Sequence, residues 1–238
     1  MVTIPAQFNG PLHSGNGGYV AGLLAQEVTG DGPVTSTLRI PPPLDVPLSW
    51  ERDGPDVRLL TAGGAIIGSA SPGAFDREVP AGPSAEEAAA GLANYPGFTH
   101  HPFDHCFTCG TARGEGDGLR LFAGPIDPAN PGLTAAPWTP HEAFAGPDGT
   151  IGACVAWASL DCPGGWAADF SKRTMVLGRM TAELLRRPLA GEPCIAVGDL
   201  HAQEGRKFWT GTALYAADGE LLGRSEQTWI QVDLPTSP

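Results

Sequence analysis

One pattern occurs twice in this 238-residue chain. It reads Gly15-Asn16-Gly17-Gly18-Tyr19-Val20-Ala21-Gly22-Leu23-Leu24-Ala25 near the N-terminus and Gly149-Thr150-Ile151-Gly152-Ala153-Cys154-Val155-Ala156-Trp157-Ala158-Ser159-Leu160-Asp161 in the second half. Each copy is a Gly-rich turn running into a nearly polar-free helical segment. A helix that is apolar on all sides must be enclosed, because water would otherwise meet its surface. A curved antiparallel sheet is the natural enclosure, and strand-like segments follow each copy. Two such units predict a duplicated domain with a functional site where the halves meet. Only the second copy ends in an acid, Asp161, so the chemistry is expected there.

The first helix is expected over 17–28, stopped by Thr29-Gly30-Asp31-Gly32-Pro33. Segments 34–40, 48–52, 57–62 and 65–70 read as strands, with Asp53-Gly54 and Gly63-Gly64 as hairpin turns. A short helix is expected over 84–92, where Ser84 and Glu87 match a capping box. The second half predicts strands at 118–123, 133–138, 176–187, 194–204, 206–216 and 221–232, and a second helix over 150–161. Asp218-Gly219 turns the last hairpin. These segments divide the chain into an N-terminal unit (1–80), a linker (81–104) and a C-terminal unit (105–238).

Composition narrows the function classes. The 33 glycines and 24 prolines fall between apolar runs rather than in tracts, so the chain is globular with many turns. A net charge of -12, with Arg186-Arg187 too small a basic cluster for a groove, argues against nucleic acid, whose phosphates it would repel. No apolar run reaches the length of a membrane span, and residues 1–10 lack the basic and apolar regions of a signal peptide. Five cysteines fit a reduced, cytoplasmic protein, with Cys154 and Cys194 read as buried small hydrophobes.

Gly17-Gly18-Tyr19-Val20-Ala21-Gly22-Leu23-Leu24 resembles the Gly-Gly helix start in the N-terminal half of acyl-CoA thioesterases with two fused hotdog units. Ala158-Ser159-Leu160-Asp161 is similar to the helix-borne Asp of their C-terminal half. Arg187-Pro188, Gly205-Arg206-Lys207 and Asp218-Gly219 resemble the turns that follow in that family, and Cys106-Phe107-Thr108-Cys109-Gly110 with Gly118-Leu119 resembles the opening of many single hotdog thioesterases. The resemblance implies an α+β fold, a tandem (double) hotdog, with each sheet wrapped around a central helix. It implies an acyl-thioester hydrolase acting on acyl-CoA or an acyl-carrier-protein thioester, needing no cofactor, and assembling as a homodimer. Two departures stand out: the first helix carries Ala25-Gln26-Glu27 where the acid is expected, with Ala25 at the best-fitting position and Gln26 or Glu27 as the alternative acid, and no His-Gly-Gly precedes the second.

Thioester hydrolysis needs a base or nucleophile and donors for the oxyanion. Asp161, at the end of an apolar helix, is the expected base or nucleophile. The alternative role is an ion pair with Arg173 or Arg179. The helix-start residues Asn16, Gly17, Gly18 and Gly152, where unsatisfied N–H groups gather, are expected to bind substrate. His13, on the loop before the first helix, either lines the pocket or is a surface histidine. In the resemblance, Gln227 orients water with a nearby hydroxyl, Thr174 or Thr228; the alternative for Gln227 is an outward-facing strand residue. A non-catalytic acyl-ligand binder on the same fold is the rival function. A dehydratase ranks last, with His141 as the one histidine available to it. The segment from His100 to Cys109 offers zinc-type ligands. A second knuckle is missing, so His100, His101, Cys106 and Cys109 would have to close a site on one loop. No metal is assigned; the segment is read as a loop over the pocket mouth.

Overall fold

The computed structural model describes residues 1–233. Ten strands form one antiparallel sheet in the order β2-β3-β4-β1-β7-β10-β9-β8-β6-β5. The first four are β1 (Val34–Leu38), β2 (Ser49–Asp53), β3 (Asp56–Leu60) and β4 (Ile66–Pro72). The others are β5 (Gly124–Asp127), β6 (Asn130–Trp138), β7 (Met175–Leu184), β8 (Cys194–Glu204), β9 (Lys207–Ala216) and β10 (Leu221–Gln231). The two halves join where β1 pairs with β7, Val34 opposite Ala182 and Thr37 opposite Arg179. Among the described residues no helix is long and apolar enough to cross a membrane.

Helix α1 (Gly17–Ala25) and helix α3 (Ala153–Ser159) are the two apolar helices. They pack on each other, and glycine makes their close approach possible. A Cβ on Gly18 would lie 2.6 Å from Asp161 Cβ and 2.9 Å from the Trp157 carbonyl, and one on Gly22 would lie 2.7 Å from Trp157 Cβ. No real side chain fits at those distances, so these two positions let the helices meet backbone to backbone. Ala21, Trp157, Ala158 and Leu160 then join one core with Met180, Phe208 and Leu214 of the second half. A smaller core, with Val20, Leu24, Leu59 and Ile67, fills the first unit.

Helix α2 (Ala85–Ala93) carries the expected box: Glu87 N–H donates to Ser84 Oγ at 3.2 Å and Ser84 N–H to Glu87 Oε2 at 2.7 Å. It lies on β5 and β6 through Gly91, whose Cβ would meet the Ala135 carbonyl at 2.1 Å. α1 stops at Ala25, short of Val28. The second helix begins at Ala153 rather than Thr150, and after the Leu160-Asp161 turn α4 (Cys162–Ala167) begins. Pro163 explains the break: it has no N–H to continue α3 and suits the first turn of a new helix. Segment 118–123 does not form the expected strand. Its amides serve a loop instead: Leu119 N–H donates to the Phe107 carbonyl at 2.8 Å and Leu121 N–H to that of Thr108 at 2.9 Å.

Candidate active site at the helix-helix junction

The N-terminus of α1 meets the C-terminal end of α3, and Asp161 stands between them. Asp161 is 2% exposed. Its Oδ2 accepts from Gly18 N–H at 2.9 Å and from Asn16 Nδ2 at 2.9 Å, while its Oδ1 is buried without a partner. Asn16 also caps α1, accepting from Tyr19 N–H at 2.8 Å. Burial dominates the electrostatics: desolvation pushes the Asp161 carboxyl up to about 7, against the opposing effect of the Gly18 N–H. Neither arginine considered as a partner reaches it. Arg173 donates to the Ala168 carbonyl and lies over the Phe208 ring, and Arg179 donates to Thr37.

A buried polar network fixes the turn that carries Asp161. The Leu160 carbonyl accepts from Gln227 Nε2 and from Thr212 Oγ1, the latter at 2.7 Å. Gln227 is 3% exposed, and its side chain faces inward from β10. Its amide donates to Ser225 Oγ at 3.0 Å as well, and its Oε1 accepts from Thr210 Oγ1 at 3.1 Å and Trp229 Nε1 at 2.7 Å. Both amide hydrogens and both lone pairs of Gln227 are therefore engaged within the protein. Thr210, Thr212 and Ser225 escaped the sequence reading. The signal available was the alternation of polar residues, Thr210 and Thr212 on β9 and Ser225 and Gln227 on β10.

The other expected residues divide. Asn16, Gly17 and Gly18 assemble at Asp161. The Gly17 N–H finds no acceptor among the described residues, and Leu177 Cβ, 2.7 Å from where a Gly17 Cβ would stand, leaves room for glycine alone. Gly152 belongs to the opposite end of the helix pair, where its N–H donates to the Phe144 carbonyl at 3.1 Å. There Gln26 Nε2 contacts half-buried Cys154 Sγ at 2.6 Å, and Glu27 is paired with Arg52, so this related end presents no free acid. Thr174 precedes β7. The partner of Gln227 on β7 is Met180, well along the strand from Thr174, so Thr174 sits about 20 Å from that level. Thr228 pairs with Arg179 and points away from inward-facing Gln227. His13 is exposed on the turn before Ser14. Exposed His141 accepts from Ala143 N–H at 3.1 Å as a turn cap.

In the segment read as a loop over the pocket mouth, His100, Asp104 and His105 are exposed, and the loop from Cys106 to Gly110 is buried throughout. Asn9 and Arg113 fasten it beneath α1. Asn9 Nδ2 donates to the His105 carbonyl at 3.2 Å, Arg113 Nε to the same carbonyl at 2.9 Å, and Phe107 N–H to the Asn9 carbonyl at 2.7 Å. These bonds bring Cys106 under Asn16.

No family model matches the chain, and no curated relative matches it significantly. Solved structures do. A conserved protein of unknown function with a hot dog fold from Alicyclobacillus acidocaldarius is 13% identical, aligns over 98% of this chain and 92% of its own, and gives a TM-score of 0.62. The tesB protein of Mycobacterium avium subs. paratuberculosis is 13% identical over 94% of this chain and 89% of its own, with a TM-score of 0.58. A thioesterase superfamily protein is 23% identical over 42% of this chain and 49% of its own, with a TM-score of 0.38. The full-length overlays extend over 94–98% of this chain and show its fold, a double hotdog of the α+β class.

Proposed function

We propose that the protein hydrolyses acyl thioesters, with Asp161 as the base or nucleophile. One observation supports this most: a carboxylate is buried at the junction of the two central helices, held on one oxygen and unpartnered on the other. A buried acceptor without a donor calls for a ligand or a water. A water placed on Oδ1 loses its proton to Asp161 as its oxygen adds to the thioester carbonyl. The resulting oxyanion is stabilised by N–H groups at the α1 N-terminus, where Gly17 has one free and the helix dipole is favourable. Collapse of the tetrahedral species breaks the C–S bond, and the departing sulfur takes the proton back from Asp161. Gln227 acts in this scheme one step removed, by fixing the Leu160 carbonyl and so the Asp161 backbone. The substrate class, acyl-CoA or an acyl-carrier-protein thioester, and assembly into a homodimer are taken from the sequence resemblance.

A specific observation favours the rival reading, a non-catalytic acyl-ligand binder. Gly18 N–H, one of the expected oxyanion donors, is occupied by Asp161 itself, and Gln227 has no hydrogen left for water. The two readings separate on the parent protein. Free thiol released from short, long and aromatic acyl-CoAs over many turnovers supports the hydrolase. An intact acyl-CoA retained through gel filtration with no thiol released supports the binder.

A further inference from the structure

Cys106, Cys109 and Cys162 come together in the interior although 56 residues separate the first from the last. All three are buried, their sulfurs lie within 4.8 Å of one another, and Cys106 Sγ to Cys162 Sγ is 3.7 Å. Two sulfurs at adjacent corners of a tetrahedral zinc site, each about 2.3 Å from the metal, stand about 3.8 Å apart. A disulfide would need about 2.05 Å. Buried cysteines can also serve as small apolar side chains, so the surroundings decide between the two roles.

Those surroundings are rich in N–H groups. Asn16 Nδ2 donates to Cys106 Sγ at 3.7 Å. Among the described residues, the backbone N–H groups of Thr108 and Cys109, in the same turn, donate to no backbone oxygen, and Trp166 Nε1 is buried with no hydrogen-bond acceptor. Gly110 closes the loop tightly: its N–H donates to the Cys106 carbonyl at 2.8 Å, and a Cβ there would lie 2.5 Å from that oxygen. A Cys-x-x-Cys-Gly turn with unused backbone amides beside the first sulfur can hold thiolates, and N–H donors around sulfur are the outer support that metal-bound cysteines require. A packing role for three thiols needs none of these donors.

We infer that Cys106, Cys109 and Cys162 are the protein ligands of one thiophilic cation, Zn²⁺, bound where the Cys106–Gly110 loop meets the start of α4. Three thiolates leave one corner of the tetrahedron for an exogenous ligand. The cation would tie the loop beneath α1 to the helix that follows Asp161, so its removal loosens the junction of the two units.

The test uses the full-length protein produced with zinc, kept reduced, and analysed for metal by inductively coupled plasma mass spectrometry. The expected content is about one zinc per chain in the parent and in Cys194→Ser, and below about a tenth of that in Cys109→Ala. Replacing zinc by Co²⁺ in the parent gives a sulfur-to-cobalt charge-transfer band, which needs no variant to fold. Chelation lowers the melting temperature of the parent. A parent that takes up neither zinc nor cobalt, equal zinc in Cys109→Ala and parent, or a Cys106–Cys162 disulfide in a non-reducing peptide map overturns the assignment.

Discussion

Replacing Asp161 by asparagine should make the protein less active and, above neutral pH, more stable. Burial raises the Asp161 carboxyl from 3.8 to about 7. The sign follows from linkage: the folded state holds the proton more tightly than the unfolded chain, so this group's contribution falls as pH rises from about 4 to about 7 and is flat above that. Ionising the carboxyl in place costs on the order of 4 kcal/mol once complete. The Asp161→Asn variant carries no such cost. The new amide oxygen can accept from Gly18 N–H and Asn16 Nδ2, while the new NH₂ takes the position of unpartnered Oδ1, a pH-independent penalty of about 1–3 kcal/mol. All other titrating groups are common to both proteins and cancel in the difference. Between about pH 5 and about pH 8 the stability of Asp161→Asn relative to the parent should therefore rise by about 3 kcal/mol. In a chain of this size that is a relative gain of roughly 6–12 °C in melting temperature. Urea denaturation of both proteins at the two pH values, with reductant and chelator holding the neighbouring cysteines in one state, measures it. A difference that stays constant across the range would refute the argument that Asp161 is a desolvated, titrating carboxyl.

Three further outcomes follow from the same geometry. Gly18→Ala forces α1 away from α3, because its Cβ would lie 2.6 Å from Asp161 Cβ; a loss of about 1–3 kcal/mol by denaturant titration is expected, together with loss of turnover. Gln227→Leu strands the Trp229 indole N–H and the Thr210 hydroxyl and removes one of two donors to the Leu160 carbonyl. It should cost about 2–5 kcal/mol, and a change within about 0.5 kcal/mol contradicts the network. Ser84→Ala breaks only the α2 capping box, so it should lower stability by about 1 kcal/mol and leave any thioester turnover unchanged.

Much of the architecture was legible because local patterns and tertiary environment agree. The all-apolar helices do lie inside a sheet, Ser84 and Glu87 do form their cap, and β8 spans Cys194–Glu204 as the alternation at 194–204 suggests. Asp161, Asn16, Gly17 and Gly18 were legible as helix-end residues. Their junction was not: Gly18 and Asp161 are 143 residues apart, and only the crossing of α1 and α3 brings them together. Segment 118–123 alternates like a strand, but its amides pair with the Cys106–Gly110 loop, a non-local competitor that periodicity cannot reveal. The same applies to Cys162. Its sequence neighbours are a helix end and a proline, and nothing local ties it to the Cys-x-x-Cys turn it meets.

Steady-state thiol release from a panel of acyl-CoAs by the parent and Asp161→Asn tests whether Asp161 carries thioester hydrolysis. Turnover by the parent is expected, with a fall in kcat of at least about 100-fold in a variant that melts no lower than the parent at about pH 8. Equal turnover by the two proteins would contradict that role.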